Sequence, residues 1–175
     1  MTDQAARDLP DLGIEAVFDH AAAAAPRIRD LLPIYLDLLG GTFHQGGDNS
    51  RVGYRAVQIV YPGGGKMELM EPHPGSTFFD RFFASRGAGL HHLTFKVPDI
   101  DAAIAAVERA GYTPTSIYTA DRDWKEVFLH PKESHGVLIQ LAQAAAGFPR
   151  PAEGRQTLDD VLAGRGDNGT GVPSP

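Results

Sequence analysis

The order of apolar and polar residues predicts the same succession of elements in both halves of the chain. Each half contains four segments of strand-like composition, most of which alternate with the period of a half-buried strand. These strands are predicted at residues 13–25, 42–46, 54–61, 66–71, 90–97, 113–118, 125–130 and 136–142. In the first half, a helix with its N-cap at Asp30 follows the first strand and ends at Leu39. In the second half, the helix has its N-cap at Asp99 and ends at Gly111.

A shift of 72 residues relates the two halves. It superimposes three pairs of residues, which are His20 and His92, Pro26 and Pro98, and Glu68 and Gln140. The alanine run 21–25 is predicted as a strand because its counterpart, 93–97, alternates as a strand does. Since each copy is too short to bury much core alone, we expect the copies to pack about a local two-fold. The prediction is an α+β fold of two βαβββ modules that form a curved mixed sheet.

The predicted domain covers residues 13–147. Module one spans 13–72, module two spans 89–142, and an amphipathic helix at 76–86 links them. The four phenylalanines of the linker helix form one apolar stripe, which is typical of packing in the core or between subunits. The termini, 1–12 and 148–175, are predicted to be flexible, apart from one short helix at 158–163 capped by Thr157.

Strand alternation places four polar side chains on the open face of the sheet, away from the helices. The sequence neighbours of residues 68, 92 and 140 are mostly apolar and are expected to lie beneath the helices. His91 is predicted to point away from the open face. The four residues expected there are His20, Glu68, His92 and Gln140. Two imidazoles and two side-chain oxygens suit a divalent transition metal, so the pattern predicts a metal cleft.

Composition narrows the classes of function. The 175 residues include no cysteine, which excludes disulfides and thiolate metal sites and fits a cytoplasmic protein. The net charge is −6 and there is no Lys/Arg cluster, so we expect neither nucleic acid nor a membrane as partner. The N-terminus lacks the apolar run of a signal peptide, and no segment approaches the length of a membrane span.

The chain resembles the vicinal oxygen chelate superfamily, which includes glyoxalase I, extradiol dioxygenases and methylmalonyl-CoA epimerases. The resemblance covers about residues 13–142 and is strongest to the epimerases. It rests on residues 66–72, on Ser76 with Phe82 and Phe83, and on residues 87–97, 128–132 and 136–141. It implies a metal-dependent epimerase or isomerase that removes a proton beside a carbonyl through a metal-stabilised enolate. It further implies ligands at His20, Glu68, His92 and Gln140, a Co²⁺, Zn²⁺ or Mn²⁺-type ion and an acyl-CoA substrate; we also expect a homodimer.

One departure from the family concerns the general base. The family usually has glutamate, as ligand and base, where this chain has Gln140, and the nearest equivalent of a second expected glutamate is Gln58. An amide oxygen can bind a metal, but an amide cannot take a proton at neutral pH. Glu68 is therefore the first candidate base, and His44 and Glu126 are weaker candidates, as is Asp123. Lys132 and Arg86 are candidates for contact with CoA phosphates.

Two other classes of function stay open at this point. His20, His92 and Glu68 have the ligand count of a non-haem Fe(II) oxygenase, and a glyoxalase-type lyase would use the same fold. A non-catalytic protein that binds a small molecule is the third hypothesis. It predicts no bound metal and tight binding without turnover.

Overall fold

The computed structural model describes residues 13–146 and 156–165. Its centre is one eight-stranded mixed sheet in the order β2-β3-β4-β1-β5-β8-β7-β6. The strands are β1 Val17–Ala24, β2 Thr42–Asn49, β3 Tyr54–Val60, β4 Lys66–Pro72, β5 Gly89–Lys96, β6 Pro114–Tyr118, β7 Trp124–Leu129 and β8 Leu138–Ala144. The helices are α1 Asp80–Arg86, α2 Ile100–Arg109 and α3 Leu158–Leu162, with a 3₁₀ turn at Ile28–Asp30 and a π-helical segment at Pro33–Leu38.

The sheet is symmetric about its central pair of strands. Strands β1 and β5 are antiparallel, and each has a parallel outer neighbour, β4 beside β1 and β8 beside β5. Beyond these, β3 and β2 on one side and β7 and β6 on the other continue in antiparallel pairs. A local two-fold axis between β1 and β5 would relate the four strands on one side of the sheet to the four strands on the other side. The predicted α+β fold of two βαβββ units is confirmed.

Module two has the helix that its sequence predicts. The Asp99 side chain caps α2 by accepting hydrogen bonds from the backbone N–H groups of Asp101 and Ala102. Buried residues on one face of α2 pack against the sheet, and the shared core contains Val127 and Leu141. An N-cap and an apolar stripe with helical period are local signals, so the sequence identified this element correctly.

Module one lacks the continuous helix that was predicted between Asp30 and Leu39. The chain forms the 3₁₀ turn and then the π-helical segment, and the Asp30 carboxylate accepts from the Arg27 guanidinium at 2.7 Å instead of capping a helix. Pro33 is the first residue of the π-helical segment, where its missing N–H costs no intrahelical hydrogen bond. The helical structure that continues from it is therefore separate from the 3₁₀ turn before it.

Helix α3 covers the helical face of module one. Thr157 caps it through a capping box with Asp160, as the sequence predicts. Val161 is fully buried against Ile28 and Ile59, and the Arg55 guanidinium donates to the carbonyl of Leu162 at 3.2 Å. The described part of the predicted flexible C-terminus is therefore packed on the domain. Residues 1–12, 147–155 and 166–175 lie outside the described residues.

Helix α1 is shorter than the predicted linker helix, because residues 76–79 form turns before it. Phe79 is fully buried and contacts Phe83, whereas Phe78 is 42% exposed and lines the open face of the sheet. The phenylalanine stripe thus divides between core and cleft. None of the described helices is both long enough and apolar enough to span a membrane.

Candidate metal centre

Three of the four predicted ligands converge on the open face of the four central strands. His20 lies on β1, Glu68 on β4 and His92 on β5. The Oε2 atom of Glu68 lies 3.7 Å from Nε2 of His20 and 3.8 Å from Nε2 of His92. Ala22 is the register partner of both Glu68 and His92, and its methyl group leaves space between their side chains.

The fourth predicted ligand, Gln140, joins this cluster through a buried hydroxyl. Thr94 Oγ1 donates to Gln140 Oε1 at 2.6 Å and lies 3.1 Å from His20 Nε2. In the sheet, Thr94 is the register partner of His20 on one side and of Gln140 on the other. Gln140 Nε2 donates in turn to Glu126 Oε2 at 2.7 Å. The structure therefore brings all four predicted residues to one place.

Two bulges turn additional side chains toward the ligand histidines. The ladder between β1 and β5 skips Asp19 in one half and His91 in the other. Asp19 Oδ2 lies 2.6 Å from His20 Nδ1, and His91 Nδ1 lies 2.9 Å from His92 Nδ1. A bulge breaks the alternation of side chains, so the prediction that His91 points away from the cleft was wrong.

The Asp19 carboxylate also contacts one lysine from each module. Its carboxylate oxygens lie 2.8 Å from Lys66 Nζ and 3.2 Å from Lys96 Nζ. Burial would raise the pKa of Asp19, but His20 and the two lysines hold that pKa far below its usual range. The Asp19 carboxylate is therefore ionised and accepts the Nδ1–H of His20, which leaves His20 Nε2 facing the cleft.

The two ligand histidines have opposite pKa shifts. Burial works against a charged His20, but hydrogen bonds and charge from Asp19 and Glu68 raise its pKa to about 9. Burial lowers the pKa of His92 to about 3, and the attraction of Glu68 is too weak to reverse this. Burial alone would raise the pKa of Glu68, but contact with His20 and the charge of His92 lower it to about 2. Near neutral pH the metal-free cluster contains His20 charged, His92 neutral and Glu68 ionised.

The donor set fits a divalent transition metal. One ligand atom from each of His20, Glu68 and His92 lies within 4.8 Å of the others. Ligand atoms about 2.1 Å from a shared ion lie roughly 3 to 4 Å apart, so only a small contraction is needed. Two imidazoles and one carboxylate, with an amide oxygen beside them, are ligands that Zn²⁺, Co²⁺, Mn²⁺ and Fe²⁺ accept.

The other candidate residues divide into those inside and those outside the cleft. Glu126 lines it and accepts from Arg51 Nη2 at 3.0 Å and from Trp124 Nε1 at 2.9 Å. Gln58 also lines it and accepts from Gln45 Nε2 at 2.9 Å. His44 is exposed at a break in the β2–β3 ladder, and the structure does not bring it to the cluster.

Sequence reasoning missed Asp19, Thr94 and Arg51. Asp19 contacts the ring of the next residue, His20, because of a bulge in the strand pair. Thr94 contacts Gln140 because the two residues are register partners on neighbouring strands. The alternation of residues along one strand shows neither contact. Arg51 comes from the turn after β2 and reaches Glu126 on β7, in the other half of the molecule. Its guanidinium carbon lies 3.8 Å from the centre of the Tyr118 ring. No local pattern predicts such a long-range contact.

A cleft of about 1050 Å³ surrounds the cluster. Its walls contain aromatic rings, including Phe78, Phe82 and Trp124. Toward α1 and the loop after β7 they contain the basic residues Arg81, Arg86 and Lys132. A cleft of this size accommodates a ligand larger than a simple organic acid.

Comparisons with known proteins find similar sequences and similar folds. Residues 19–128 match the Glyoxalase/Bleomycin resistance protein/Dioxygenase superfamily. The chain is 28% identical over 132 residues to the mitochondrial methylmalonyl-CoA epimerase of Homo sapiens, covering 72% of this chain and 73% of that protein. It is 30% identical over 129 residues to the ethylmalonyl-CoA/methylmalonyl-CoA epimerase of Cereibacter sphaeroides, covering 71% and 96%. The solved structure of methylmalonyl-CoA epimerase from Mycobacterium tuberculosis superimposes with a TM-score of 0.66 at 25% identity, covering 83% and 99%.

Proposed function

Because the chain belongs to the Glyoxalase/Bleomycin resistance protein/Dioxygenase superfamily, we propose that it is a metal-dependent epimerase or isomerase acting on an acyl-CoA. The reaction removes a proton from the carbon beside the thioester carbonyl and returns one. The observation that carries the proposal is the convergence of His20, Glu68 and His92 on one point of the open face. The similarity to named epimerases supports the reaction class.

The ligand residues and the cleft determine what the protein supplies to this chemistry. We propose that His20, Glu68, His92 and Gln140 Oε1 hold a divalent ion of the Co²⁺, Zn²⁺ or Mn²⁺ type, as the chemistry of the donors favours. A divalent ion bound there would polarise a carbonyl oxygen and stabilise the negative charge that develops on it. A bound thioester that displaced water from the aromatic walls of the cleft would strengthen that effect.

Glu68 is the proposed base. Gln140 and Gln58 cannot accept a proton at neutral pH. The other carboxylates on the cleft wall are Asp19, Asp121 and Glu126. Asp19 is occupied by His20 and two lysines, and Asp121 accepts from the backbone N–H of Asp123. In the metal-free protein the pKa of Glu68 is lowered to about 2, so its carboxylate is ionised near neutral pH.

Epimerisation needs groups on both faces of the reacting carbon. Glu68 lies on module one and Glu126 on module two, so they approach the cleft from opposite halves. We propose that Glu68 takes the proton from one face. Glu126 is the weaker candidate for the other face, because its oxygens already accept from Arg51, Trp124 and Gln140. The local two-fold makes a ligand of one module geometrically equivalent to its counterpart. Glu68 can therefore fill, from the opposite side, the role of the glutamate that Gln140 replaces.

The substrate class follows from the charge and size of the cleft. Arg81, Arg86 and Lys132 contribute three cations to its lining, and phosphates of a CoA group would find partners there. Arg86 also donates to the carbonyl of Gly136 at 2.8 Å, which fixes its guanidinium near the loop that carries Lys132. We propose a methylmalonyl-CoA-like thioester as the substrate.

Deuterium uptake tests the proposal directly. Metal-loaded protein is expected to exchange the hydrogen at C2 of methylmalonyl-CoA in heavy water, as measured by mass spectrometry. Glu68→Gln is expected to lower the exchange rate by at least 100-fold, because the amide cannot take the proton. Glu108→Gln, on the exposed face of α2, is the matched control and is expected to exchange at the wild-type rate. Absence of exchange with Co²⁺, Zn²⁺ and Mn²⁺ would contradict the proposal.

The ligand set also supports a second candidate function. Two histidines and one carboxylate that leave other positions open are the ligands of non-haem Fe(II) oxygenases. Oxygen uptake by protein purified anaerobically and loaded with Fe²⁺, in the presence of thioester and aromatic substrates, distinguishes this candidate from an epimerase. A glyoxalase-type lyase would instead act on a hemithioacetal. A non-catalytic binding protein would bind a ligand tightly without turnover.

We propose a homodimer as the working form. Val17, Phe18 and Leu90, on the two central strands, are 67%, 50% and 53% exposed. Phe18 and Leu90 are equivalent positions of the two halves. Burial of such side chains against a second copy would remove apolar surface from water. Light scattering is expected to give twice the chain mass for the wild type, and Phe18→Ser is expected to weaken the association.

A further inference from the structure

We propose that Glu126 is a positioning residue that fixes the side-chain amide of Gln140, so that the oxygen and not the nitrogen faces the metal centre. This inference rests on the proposed function, since it assigns Gln140 Oε1 as a ligand atom. An amide group has an acceptor end and a donor end of nearly equal size. Only the oxygen can bind a cation, so the orientation of the amide decides whether Gln140 contributes.

The contacts of Gln140 separate its two ends. The nitrogen Nε2 donates to Glu126 Oε2 at 2.7 Å. The oxygen Oε1 accepts from Thr94 Oγ1 at 2.6 Å, and that hydroxyl lies 3.1 Å from the ligand atom of His20. Rotating the amide by half a turn would set Oε1 against the Glu126 carboxylate, where two acceptors repel each other. The carboxylate therefore selects one orientation.

Glu126 is itself held in place from both halves of the molecule. Its Oε2 accepts from Trp124 Nε1 at 2.9 Å, and its Oε1 accepts from Arg51 Nη2 at 3.0 Å. Arg51 belongs to module one and is stacked on Tyr118 of module two. The Glu126 side chain is only 13% exposed, so this is a largely buried carboxylate with three donors rather than a surface ion pair.

The other half of the described sheet has no carboxylate at the position equivalent to Glu126. Glu126 is the register partner of Ala142 on β8. The repeat relates Ala142 to Met70 on β4, and the register partner of Met70 is Ala56. The Glu126 carboxylate thus lies beside the amide of Gln140, whereas Ala56 occupies the equivalent position in the half that carries Glu68. A carboxylate at position 56 would repel Glu68. The acceptor Glu126 therefore lies beside an amide that can donate to it, and the uncharged Ala56 lies beside the carboxylate of Glu68. This arrangement supports a positioning role for Glu126.

A cycle of substitutions in the metal-free protein tests the orientation. Gln140→Glu sets two carboxylates against each other and is expected to lower the melting temperature. Adding Glu126→Gln is expected to restore most of the loss, because the new amide can donate to the new carboxylate. Equal melting temperatures of Gln140→Glu with and without Glu126→Gln would overturn the proposal.

Cobalt binding tests the consequence for the metal centre. Glu126→Ala removes the acceptor and is expected to weaken Co²⁺ binding by 10-fold or more and to change the visible spectrum of the bound Co²⁺. Glu126→Gln keeps an acceptor oxygen and is expected to recover part of the affinity. Glu108→Gln is the charge-matched control. An affinity and spectrum of Glu126→Ala equal to those of the control would overturn the proposal.

The two arms separate the possible failures. If the wild type binds no Co²⁺, the metal centre of the proposed function fails, and the assignment of Oε1 as a ligand fails with it. If the wild type binds Co²⁺ but neither arm responds to Glu126, the positioning role fails and the proposed function stands.

Discussion

Asp19 and His91 occupy equivalent bulges of the two halves, and each contacts Nδ1 of the histidine that follows it. Asp19 lies 2.6 Å from His20, and His91 lies 2.9 Å from His92. One bulge contributes a carboxylate and the other contributes a neutral ring. This difference contributes to the opposite pKa shifts of the two histidines, together with the hydrogen bond to Glu68 that only His20 makes and the burial that dominates at His92.

Asp19→Asn is expected to weaken metal binding about 10- to 100-fold, because the carboxylate that orients His20 is lost. The pKa of His20 is expected to fall from about 9 toward 6.5. Titration calorimetry with Zn²⁺ and an NMR titration of the His20 ring measure the two effects. Asp101→Asn, on the exposed side of α2, removes the same charge and should change neither. Unaltered Zn²⁺ affinity in Asp19→Asn would show that Asp19 does not orient the ligand.

Metal uptake near neutral pH is expected to release one proton. The pKa of His20 is about 9 in the metal-free protein, and a coordinating imidazole must give up the proton on Nε2. The apparent affinity should therefore rise about tenfold for each pH unit between pH 7 and 8.5. Calorimetry in two buffers of different ionisation enthalpy counts the protons. Heats that are the same in both buffers would contradict the prediction.

The metal-free protein is expected to be most stable near pH 6.5. His91 and His92 have pKa values of about 4 and 3, so below pH 6.5 the unfolded chain binds protons that the folded chain does not, and stability falls. His20 has a raised pKa of about 9, so its contribution is complete below pH 6.5 and is lost as the pH rises through 9.

Each of these groups changes the free energy of unfolding by up to about 1.4 kcal/mol per pH unit. Melting temperatures measured in a chelator from pH 4.5 to 9.5 give the curve. A melting temperature that rises steadily across this range would contradict the assigned charge states.

Val161→Ala is expected to lower the free energy of unfolding by roughly 1 to 3 kcal/mol, because it leaves a cavity beside Ile28 and Ile59. Leu38 is 77% exposed, so Leu38→Ala is the control and should cost less than about 0.5 kcal/mol. Urea unfolding measures both. Equal midpoints for the two variants would show that α3 does not belong to the core of module one.

The common position of the four proposed ligands could be predicted because it depends on local patterns. The shift of 72 residues and the alternation along each strand assigned His20, Glu68, His92 and Gln140 to one face before any contact was known. The helix after Asp99 was predicted for a similar reason, since its cap and its apolar stripe are contiguous in sequence.

The pairing of strands and contacts between distant residues decided the rest. Asp19 reaches His20 only because a bulge interrupts β1, and a bulge is set by the register between strands. Glu126 meets Gln140 across a strand pair and Arg51 across the two modules. Helix α3 was predicted, but its position on module one was not.

The sequence by itself therefore determined the repeat, the strands, most of the helices and the shared face of the four proposed ligands, because the period of side chains along a strand or helix follows from backbone geometry. Only the tertiary structure decided how those ligands are charged, oriented and surrounded. Those properties depend on burial and on partners far along the chain, which the alternation of residues within one element does not encode.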